Sequence, residues 1–222
     1  MKKLIETKNK SYHRQILIDL IYKNRSYYNG IVLDIGGRER NIFKILKKKV
    51  DKWIIVDLDK KHKPDLILDV SNMKEIDTSS IDVINAIELF EHVKLIKKAI
   101  KECYRILKNN GYLICSVPFL FYIHGAPNDY QRWTYLKWNQ ELKSAGFRIE
   151  KFIIMGRYFT HLTDTIKIFM NYLKNYNLFG KLLSFFIWPL IKNLSEIDKK
   201  EFVRKDPVLG SHHTGYFIIA QK

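Results

Sequence analysis

The chain has 222 residues and a formal charge of +16 at neutral pH, with 46% hydrophobic and 14% aromatic residues. This composition supplies enough apolar side chains for a packed core, so it excludes a chain that is disordered throughout. No apolar run reaches the length of about 18 residues that a membrane-spanning helix requires. The two cysteines, Cys103 and Cys115, fall on the apolar face of a predicted helix and inside a predicted strand. We therefore expect buried thiols in a reducing compartment and not a disulfide framework.

The positive charge admits several interpretations. A strongly basic chain can bind nucleic acid, an anionic membrane surface or an anionic substrate. The lysines, however, are scattered along the chain and are not gathered with aromatic residues into one module. We therefore favour a compositional origin of the charge over nucleic-acid binding. Because Met1 to Asn9 lacks the apolar stretch of a secretory signal, we expect a cytoplasmic protein.

Short apolar runs alternate with segments of helical periodicity along the chain. Strands are predicted at residues 31–35, 53–56, 66–68, 81–87, 112–117, 148–155 and 215–220. Helices are predicted at residues 11–28, 41–48, 96–107 and 134–145, the third ending at Asn109-Asn110-Gly111, where positive φ is tolerated. This alternation predicts an α/β fold with a Rossmann-like, seven-stranded, mostly parallel sheet and helices on both faces.

The carboxyl ends of the predicted strands carry acids and glycines: Asp34, Gly36, Gly37, Asp57 and Asp69. Ligands of open parallel sheets bind beyond these ends, and Asp57 is spaced to accept hydrogen bonds from both ribose hydroxyls. Residues 36–41 lack the spacing of a dinucleotide-binding turn and contain Glu39, which would repel a pyrophosphate. The pattern therefore favours a cofactor that has a ribose but no phosphate.

Five segments, in order, resemble motifs of class I S-adenosylmethionine-dependent methyltransferases: Val32 to Gly37, Val56 to Asp59, Asp69-Val70, Asp82 to Val93, and Tyr104 to Leu113. The resemblance covers residues 11–155 and implies S-adenosylmethionine as cofactor, with S-adenosylhomocysteine as product. It departs from the family where Arg38 to Arg40 replace the third glycine of the turn. It implies cofactor contacts for Asp34, Gly36, Gly37, Asp57, Leu58, Asp69, Val70, Ala86 and Ile87.

Each of these residues takes a distinct role under the resemblance. Asp34 would organise the turn that receives the amino-acid end, and Gly36 would pass close to the methionine moiety. Asp57 would bind the ribose. Leu58 and Asp69 would contact the adenine, while Ala86 and Ile87 would line the pocket beneath the sulfonium. For Asp57 and Asp69, capping or turn formation is the alternative interpretation.

A long aperiodic stretch, residues 118–134, follows the fifth predicted strand, and loops of this length are often functional. It resembles a segment common in small-molecule methyltransferases, many of them from bacterial surface-polysaccharide biosynthesis. The residues that carry this resemblance are Pro118, His124, Pro127, Asp129, Tyr130, Arg132, Thr134 and Ala145-Gly146-Phe147.

For this loop we predict that His124 is a general base, because its ordinary pKa lies near neutrality. Asp129 would orient His124 or bind the acceptor, Arg132 would hold an acceptor phosphate or carboxylate, and Tyr122 and Tyr130 would line the substrate site. The alternative is that Asp129 and Arg132 pair with each other and fix the shape of the loop, with His124 outside the mechanism. We expect His92 to cap or orient the loop after the fourth strand. His212 and His213 lack further ligands, so no metal is predicted.

The chain is predicted to be one domain, 1–222, with a helical segment at 1–28, a cofactor-binding core at 31–155, a helical insertion at 156–210 and a closing strand at 215–221. The apolar residues of 178–194 predict a lid or a homodimer surface. The alternative is peripheral contact with the inner face of a membrane, aided by Lys174, Lys181 and Lys192.

The predicted function is O-methylation of a small molecule or sugar-linked group in surface-glycan or capsule biosynthesis. One alternative is an RNA methyltransferase, which the net charge motivates, although Asn85 to Glu88 stand where a base-methylating enzyme carries N-P-P-Y. A second alternative is a non-catalytic binding protein that keeps the fold, which the altered glycine turn motivates.

Overall fold

A computed structural model describes residues 10–37, 43–176 and 178–222. Its strands are β1 (Ile31–Ile35), β2 (Lys52–Asp57), β3 (Leu66–Ile67), β4 (Ile81–Ile87), β5 (Leu107–Pro118), β6 (Arg148–Met155) and β7 (Gly215–Gln221). They form one seven-stranded sheet in the order β3-β2-β1-β4-β5-β7-β6. The pairs β2–β3, β1–β2, β1–β4 and β4–β5 are parallel. The predicted Rossmann-like, mostly parallel sheet is confirmed.

The helices are α1 (Tyr12–Lys23), α2 (Lys44–Lys47), α3 (Ile96–Ile106), α4 (Tyr135–Ser144), α5 (Tyr158–Tyr176), α6 (Leu178–Ile191) and α7 (Glu201–Lys205). A short 3-10 turn, Phe90–His92, follows β4. The first residues of the predicted helix 41–48, the turn at Arg38 to Arg40 and the segment Met1 to Asn9 lie outside the described residues.

Helix α3 shows how periodicity sets burial and where the sequence prediction of its end was wrong. Its buried residues recur every three or four positions: Ile96, Ala99, Ile100, Cys103 and Ile106. The helix ends at Ile106 because the chain enters β5 directly. Ile81 then pairs with Leu107, whereas Val83 pairs with Tyr112, so the residues between form an irregularity in the strand. Asn110 has the expected positive φ, +64°, but lies in this irregularity and not at a helix end.

The core lies in the central strands. Val83, Ile84 and Ala86 of β4 are fully buried, and β7 is buried along its whole length. Cys103 and Cys115 are free and fully buried, and burial raises the pKa of both thiols above the usual range. Both cysteines are therefore small core residues, as predicted.

The chain divides into two compact units. One comprises Leu20–Ile153 with Tyr216–Lys222, and the other comprises the described residues up to Asp19 with Ile154–Gly215. The second unit contains the predicted helical insertion, in which α5 and α6 pack together. The Asp198 carboxylate accepts hydrogen bonds from three backbone N–H groups at the start of α5. In the described part of the chain, no helix is both long and apolar enough to cross a bilayer.

Candidate functional site

A cavity of about 730 Å³ lies where β1, β2 and β4 reach their carboxyl ends, within the unit that contains Leu20–Ile153. This is the edge at which ligands of open parallel sheets bind. Seven predicted site residues line it: Gly36, Asp57, Leu58, Asp69, Val70, His124 and Tyr130. The cavity therefore brings together residues predicted for the cofactor and residues predicted for the acceptor.

Asp34 lies beneath the turn that follows β1 and does not line the cavity. Its carboxylate is 2% exposed and accepts hydrogen bonds from Asn85 Nδ2 at 2.6 Å and Trp53 Nε1 at 3.2 Å. Tyr28 in turn donates its hydroxyl to Asn85 Oδ1 at 2.7 Å. A Cβ atom on Gly37 would lie 2.6 Å from Asp34 Cγ, so the carboxylate packs directly against the turn. Asp34 therefore lies against the turn, and its role in organising the amino-acid end of a cofactor stays a prediction.

Gly36 occupies a position that only glycine fits without strain. Its φ is +67°, and its N–H donates to the Val56 carbonyl at 2.7 Å. A Cβ atom there would lie 2.7 Å from Leu89 Cδ1. The missing side chain leaves bare backbone at the cavity wall, as close approach of a ligand requires.

Asp57 ends β2 and lines the cavity. Its Oδ1 accepts from the Asp59 N–H at 2.9 Å, and its Oδ2 accepts from His62 Nδ1 at 2.9 Å. The adjacent Leu58 is 67% exposed, which is unusual for a leucine beside a cavity and provides an apolar face for a planar ring. The sequence analysis missed His62, since no local pattern links it to Asp57.

Asp69 and Val70 line the cavity after β3. Asp69 Oδ1 accepts from the Ser71 N–H and from the Ser71 hydroxyl, at 2.8 and 2.9 Å. These bonds form an Asx-type turn, so the turn-forming role that the sequence allowed for Asp69 is present. Val70 is 6% exposed and contributes an apolar edge to the lining.

Ala86 and Ile87 do not lie in the cavity lining where the sequence placed them, and their contact with a cofactor stays a prediction. Both are buried inside β4. The residues that follow the strand, Glu88 and Leu89, line the cavity instead. Glu88 has a φ of +52°, and its carboxylate accepts the Ser116 hydroxyl at 2.8 Å. The sequence contained one signal for Glu88 as a lining residue: it is the first polar residue after the apolar end of a strand.

The loop of residues 118–134 is fixed by an ion pair between Asp129 and Arg132. Arg132 donates to both Asp129 oxygens, at 2.5 and 2.7 Å, and Asp129 also accepts the His124 backbone N–H at 2.8 Å. The Arg132 hydrogen bonds lower the pKa of Asp129 to about 2. The two residues pair as in the loop-shaping interpretation and neither lines the cavity, while the acceptor contacts predicted for them stay predictions. Tyr122 stacks on Phe121 outside the cavity lining.

A Glu–His triad, Glu91, His92 and His124, adjoins the cavity. The Glu91 side chain is 1% exposed, and its Oε1 lies 3.7 Å from His92 Nε2 and 3.9 Å from His124 Nε2. Burial, with repulsion from Glu88 as the next cause, raises the pKa of Glu91 to about 8. His92 donates its Nδ1–H to the Asn128 carbonyl, which joins the turn after β4 to the loop. Sequence analysis gave His92 this orienting role but gave Glu91 none.

The comparisons with known proteins agree with this geometry. The family model described as "Methyltransferase domain" matches residues 11–151. A search of curated proteins found no matching sequence.

Among solved structures, a SAM-dependent methyltransferase from Archaeoglobus fulgidus is similar at a TM-score of 0.60 and 15% identity, over 94% of each chain. The [4+2]-cyclase SpnF has a TM-score of 0.62 at 14% identity, over 95% of this chain and 81% of that one. The Burkholderia thailandensis 1,6-didemethyltoxoflavin-N1-methyltransferase, solved with S-adenosylhomocysteine, has a TM-score of 0.54 at 13% identity, over 97% and 80%. At these identities the likeness shows the fold. The family model covers more than half of the sequence. The chain therefore belongs to the methyltransferase domain family, and the predicted S-adenosylmethionine-dependent methyltransferase is confirmed.

Proposed function

We propose that the protein transfers the methyl group of S-adenosylmethionine to a hydroxyl of a small acceptor, with sugars and glycan-linked groups of surface-polysaccharide biosynthesis as the acceptor class. The observation that carries this proposal is the shared cavity. Its lining includes Gly36 and Asp57 at the strand ends and His124 from the loop. A nucleoside cofactor and a titratable side chain can therefore meet in one space.

The residues present fit the cofactor. The bare backbone at Gly36 admits the methionine part, Asp57 lies where a ribose would bind, and exposed Leu58 offers an apolar face to adenine. The lining also contains several carboxylates: Asp57, Asp59, Asp69 and Glu88. This acidic lining, in a chain with a net charge of +16, suits a sulfonium cation. When bound, the cofactor supplies an electrophilic methyl group.

His124 is the residue proposed to take the proton of the acceptor hydroxyl. Its Nδ1 lies 3.3 Å from the Tyr122 carbonyl and 3.4 Å from Asp129 Oδ2, so the loop holds the ring by one edge. The other nitrogen, Nε2, then carries the lone pair that can accept a proton, and it lies 3.9 Å from Glu91 Oε1 beside the cavity. Because methyl transfer is an in-line displacement, correct placement of the acceptor contributes much of the rate, and a positioned base adds to it.

The cofactor part is tested by calorimetric titration with S-adenosylmethionine and S-adenosylhomocysteine. We expect Asp57→Ala to weaken binding about tenfold to a hundredfold, since hydrogen bonds to a charged group are lost. The matched control is Asp51→Ala, which removes an exposed carboxylate just before β2 and should leave the affinity unchanged. Absence of binding to the wild-type protein would contradict the proposal and favour the non-catalytic alternative.

The reaction is tested by incubating the protein with labelled cofactor and panels of sugars, nucleotide sugars and lipid-linked glycans. Transfer to an oxygen of one panel member supports the proposal, whereas transfer to RNA that persists at physiological salt would favour the RNA alternative. The fold alone does not decide between reactions, because the similar structure of SpnF is described as a cyclase.

We also propose that α6 contacts an anionic membrane surface. Its large apolar side chains are exposed: Leu182 by 54%, Phe185 by 73%, Phe186 by 67%, Trp188 by 40% and Leu190 by 76%. Exposed Lys181 and Lys192 flank these residues and supply the complementary charge. Exposed aromatic residues beside lysines are typical of helices that lie in the membrane interface.

Flotation with vesicles tests this contact. The protein should float with vesicles that contain phosphatidylglycerol, and Phe185→Ser with Phe186→Ser should abolish flotation. Wild-type protein that stays behind at low salt would contradict membrane contact. A stable dimer in light scattering, lost in the same double variant, would assign the surface to a second copy of the chain.

A further inference from the structure

The Glu–His triad brings three metal-binding side chains to one point. One ligand atom from each of Glu91, His92 and His124 lies within 4.8 Å of the other two. Two of the residues belong to the 3-10 turn after β4, and the third comes from the loop after β5. No spacing motif announces this cluster, and the sequence analysis assigned no metal.

The hydrogen bonds of the two histidines define which nitrogens carry protons. His92 Nδ1 faces the Asn128 carbonyl, and a carbonyl oxygen can only accept, so this nitrogen is the donor. His124 Nδ1 likewise faces two acceptors, the Tyr122 carbonyl at 3.3 Å and Asp129 Oδ2 at 3.4 Å. Each neutral ring therefore presents the lone pair of its Nε2.

Arg132 Nη2 also lies 3.4 Å from His124 Nδ1. Its two protons already have acceptors, because the same nitrogen donates to Asp129 Oδ2 at 2.7 Å and to the Tyr122 carbonyl at 3.3 Å. The arginine therefore does not reverse the assignment of the His124 ring nitrogens.

Both Nε2 atoms lie near the same carboxylate oxygen. Glu91 Oε1 is 3.7 Å from His92 Nε2 and 3.9 Å from His124 Nε2, and neither oxygen of Glu91 accepts a well-formed hydrogen bond from the described residues. Its own backbone N–H and the nearby Arg132 charge offset only part of the burial that raises its pKa. A buried carboxylate without a partner is unfavourable, and three converging acceptors repel one another. One proton on Glu91 can serve only one of the two histidines, whereas a cation satisfies all three groups.

We propose that Glu91, His92 and His124 bind one divalent transition-metal ion of the zinc class. Two histidines and one carboxylate form the ligand set of catalytic zinc and of non-haem iron sites. In both rings the Nδ1–H is anchored on an oxygen, which is the usual support for a metal-binding histidine. Ligand atoms of four-coordinate zinc lie about 3.3 Å apart, so the two distances to Oε1 would shorten by about half an ångström.

The ion would have open positions on the cavity side. The side chains of His92 and His124 are 30% and 31% exposed and line the cavity, whereas that of Glu91 is buried. An acceptor oxygen bound at an open position would have a lowered pKa and a fixed orientation. With the ion bound, His124 Nε2 would be a ligand and not the base, and the lowered pKa of the bound oxygen would replace that role. This use of the ion rests on the proposed function, but binding of the ion does not. If the ion binds the acceptor, the acceptor class narrows to molecules with an oxygen that can bind a metal.

Binding is tested on the full chain, stripped with a chelator, by titration with Zn²⁺ and by the visible spectrum of the Co²⁺ form. We expect one equivalent to bind, and Glu91→Gln and His124→Ala to weaken binding at least about tenfold. His161→Ala, which removes a histidine of α5, is the matched control and should bind like the wild type.

Circular dichroism checks that each variant is folded. The Co²⁺ spectrum of the wild type shows whether the metal binds and does not depend on any variant. Wild-type protein that binds no Zn²⁺, or a stoichiometric site that survives both Glu91→Gln and His124→Ala, would overturn the proposal. Titration of the stripped protein with S-adenosylhomocysteine is read separately. Failure of the metal site therefore leaves the test of the cofactor site intact.

Discussion

The two parts of the cavity lining differ in how their polar groups are held. At the strand ends, Asp57 and Asp69 bond to residues no more than five positions away, such as Asp59, His62 and Ser71. On the loop side, contacts also join residues more than thirty positions apart, such as His92 with Asn128 and Glu91 with His124. The polar groups at the strand ends are held by local turns, so they can be predicted from the sequence. The loop side depends on tertiary structure, and behind it lies the Glu91 carboxylate, whose oxygens have no hydrogen-bond partner in the described part of the chain.

The strongest test of this division is His124→Ala. If the loop side performs the chemistry, turnover should fall about a hundredfold to ten-thousandfold, the usual contribution of a positioned acid or base. The affinity for S-adenosylhomocysteine should remain within about twofold, since Asp57 is held by Asp59 and His62, and the Gly36 N–H by Val56, all at the strand ends. Single-turnover rates and calorimetric titration measure the two quantities on the same preparation.

The matched control for this experiment is His161→Ala, which should leave both quantities unchanged. Unchanged turnover in His124→Ala would remove this residue from the mechanism. A loss of cofactor affinity as large as the loss of rate would mean that the two parts of the lining act as one site.

A smaller effect, on stability, is expected for Arg132→Met. The substitution leaves the Asp129 carboxylate, whose side chain is 2% exposed, without its bidentate partner. Breaking a buried ion pair in this way costs about 3 kcal/mol. Lys97→Met, which removes an exposed partner of Glu141, should cost less than about 1 kcal/mol. Urea unfolding at neutral pH compares the two variants.

The same pair predicts a pH dependence. The folded-state pKa of Asp129 is lowered to about 2 from an ordinary value of 3.8, so its stabilisation is fully present above that ordinary value. It is lost as the pH falls through about 2. The stability difference between wild type and Arg132→Met should therefore shrink between about pH 4 and pH 2. A difference that stays constant over this range would show that the ion pair does not carry the effect.

The same contrast explains what the sequence could and could not predict. Gly36, Asp57 and Asp69 were found because each follows an apolar strand, and the carboxyl ends of parallel strands share one edge. Glu91 and His124 meet because β4 and β5 pair in parallel with Ile87 beside Ser116, so the segments after both strands leave at the same edge. Local periodicity predicts neither the register of β4 against β5 nor the path of the loop after β5. Ala86 and Ile87 lie within β4 and the lining begins at Glu88, because the motif indicates the strand but not which of its last residues faces the cavity.

The smallest expected effects, on affinity and on rate, come from two glycine substitutions, each in a different part of the cavity lining. Gly36 and Gly125 both line the cavity with positive φ, +67° and +74°. An alanine at either position pays a similar backbone strain of about 1 kcal/mol. The added Cβ would lie 2.7 Å from Leu89 Cδ1 at Gly36, and 3.1 Å from His92 Cε1 at Gly125. The two variants therefore disturb different parts of the lining at a comparable cost in stability.

Gly36→Ala should weaken S-adenosylhomocysteine binding about tenfold, which corresponds to about 1.4 kcal/mol, because the added methyl group occupies space where the ligand meets the backbone. Gly125→Ala should keep that affinity and lower the rate of methyl transfer several-fold, because it moves His92 and the loop. Titration and single-turnover rates of both variants give the answer. If each variant lowers affinity and rate together, the strand ends and the loop form one cooperative surface. If the effects separate as expected, the strand ends hold the cofactor and the loop side sets the chemistry.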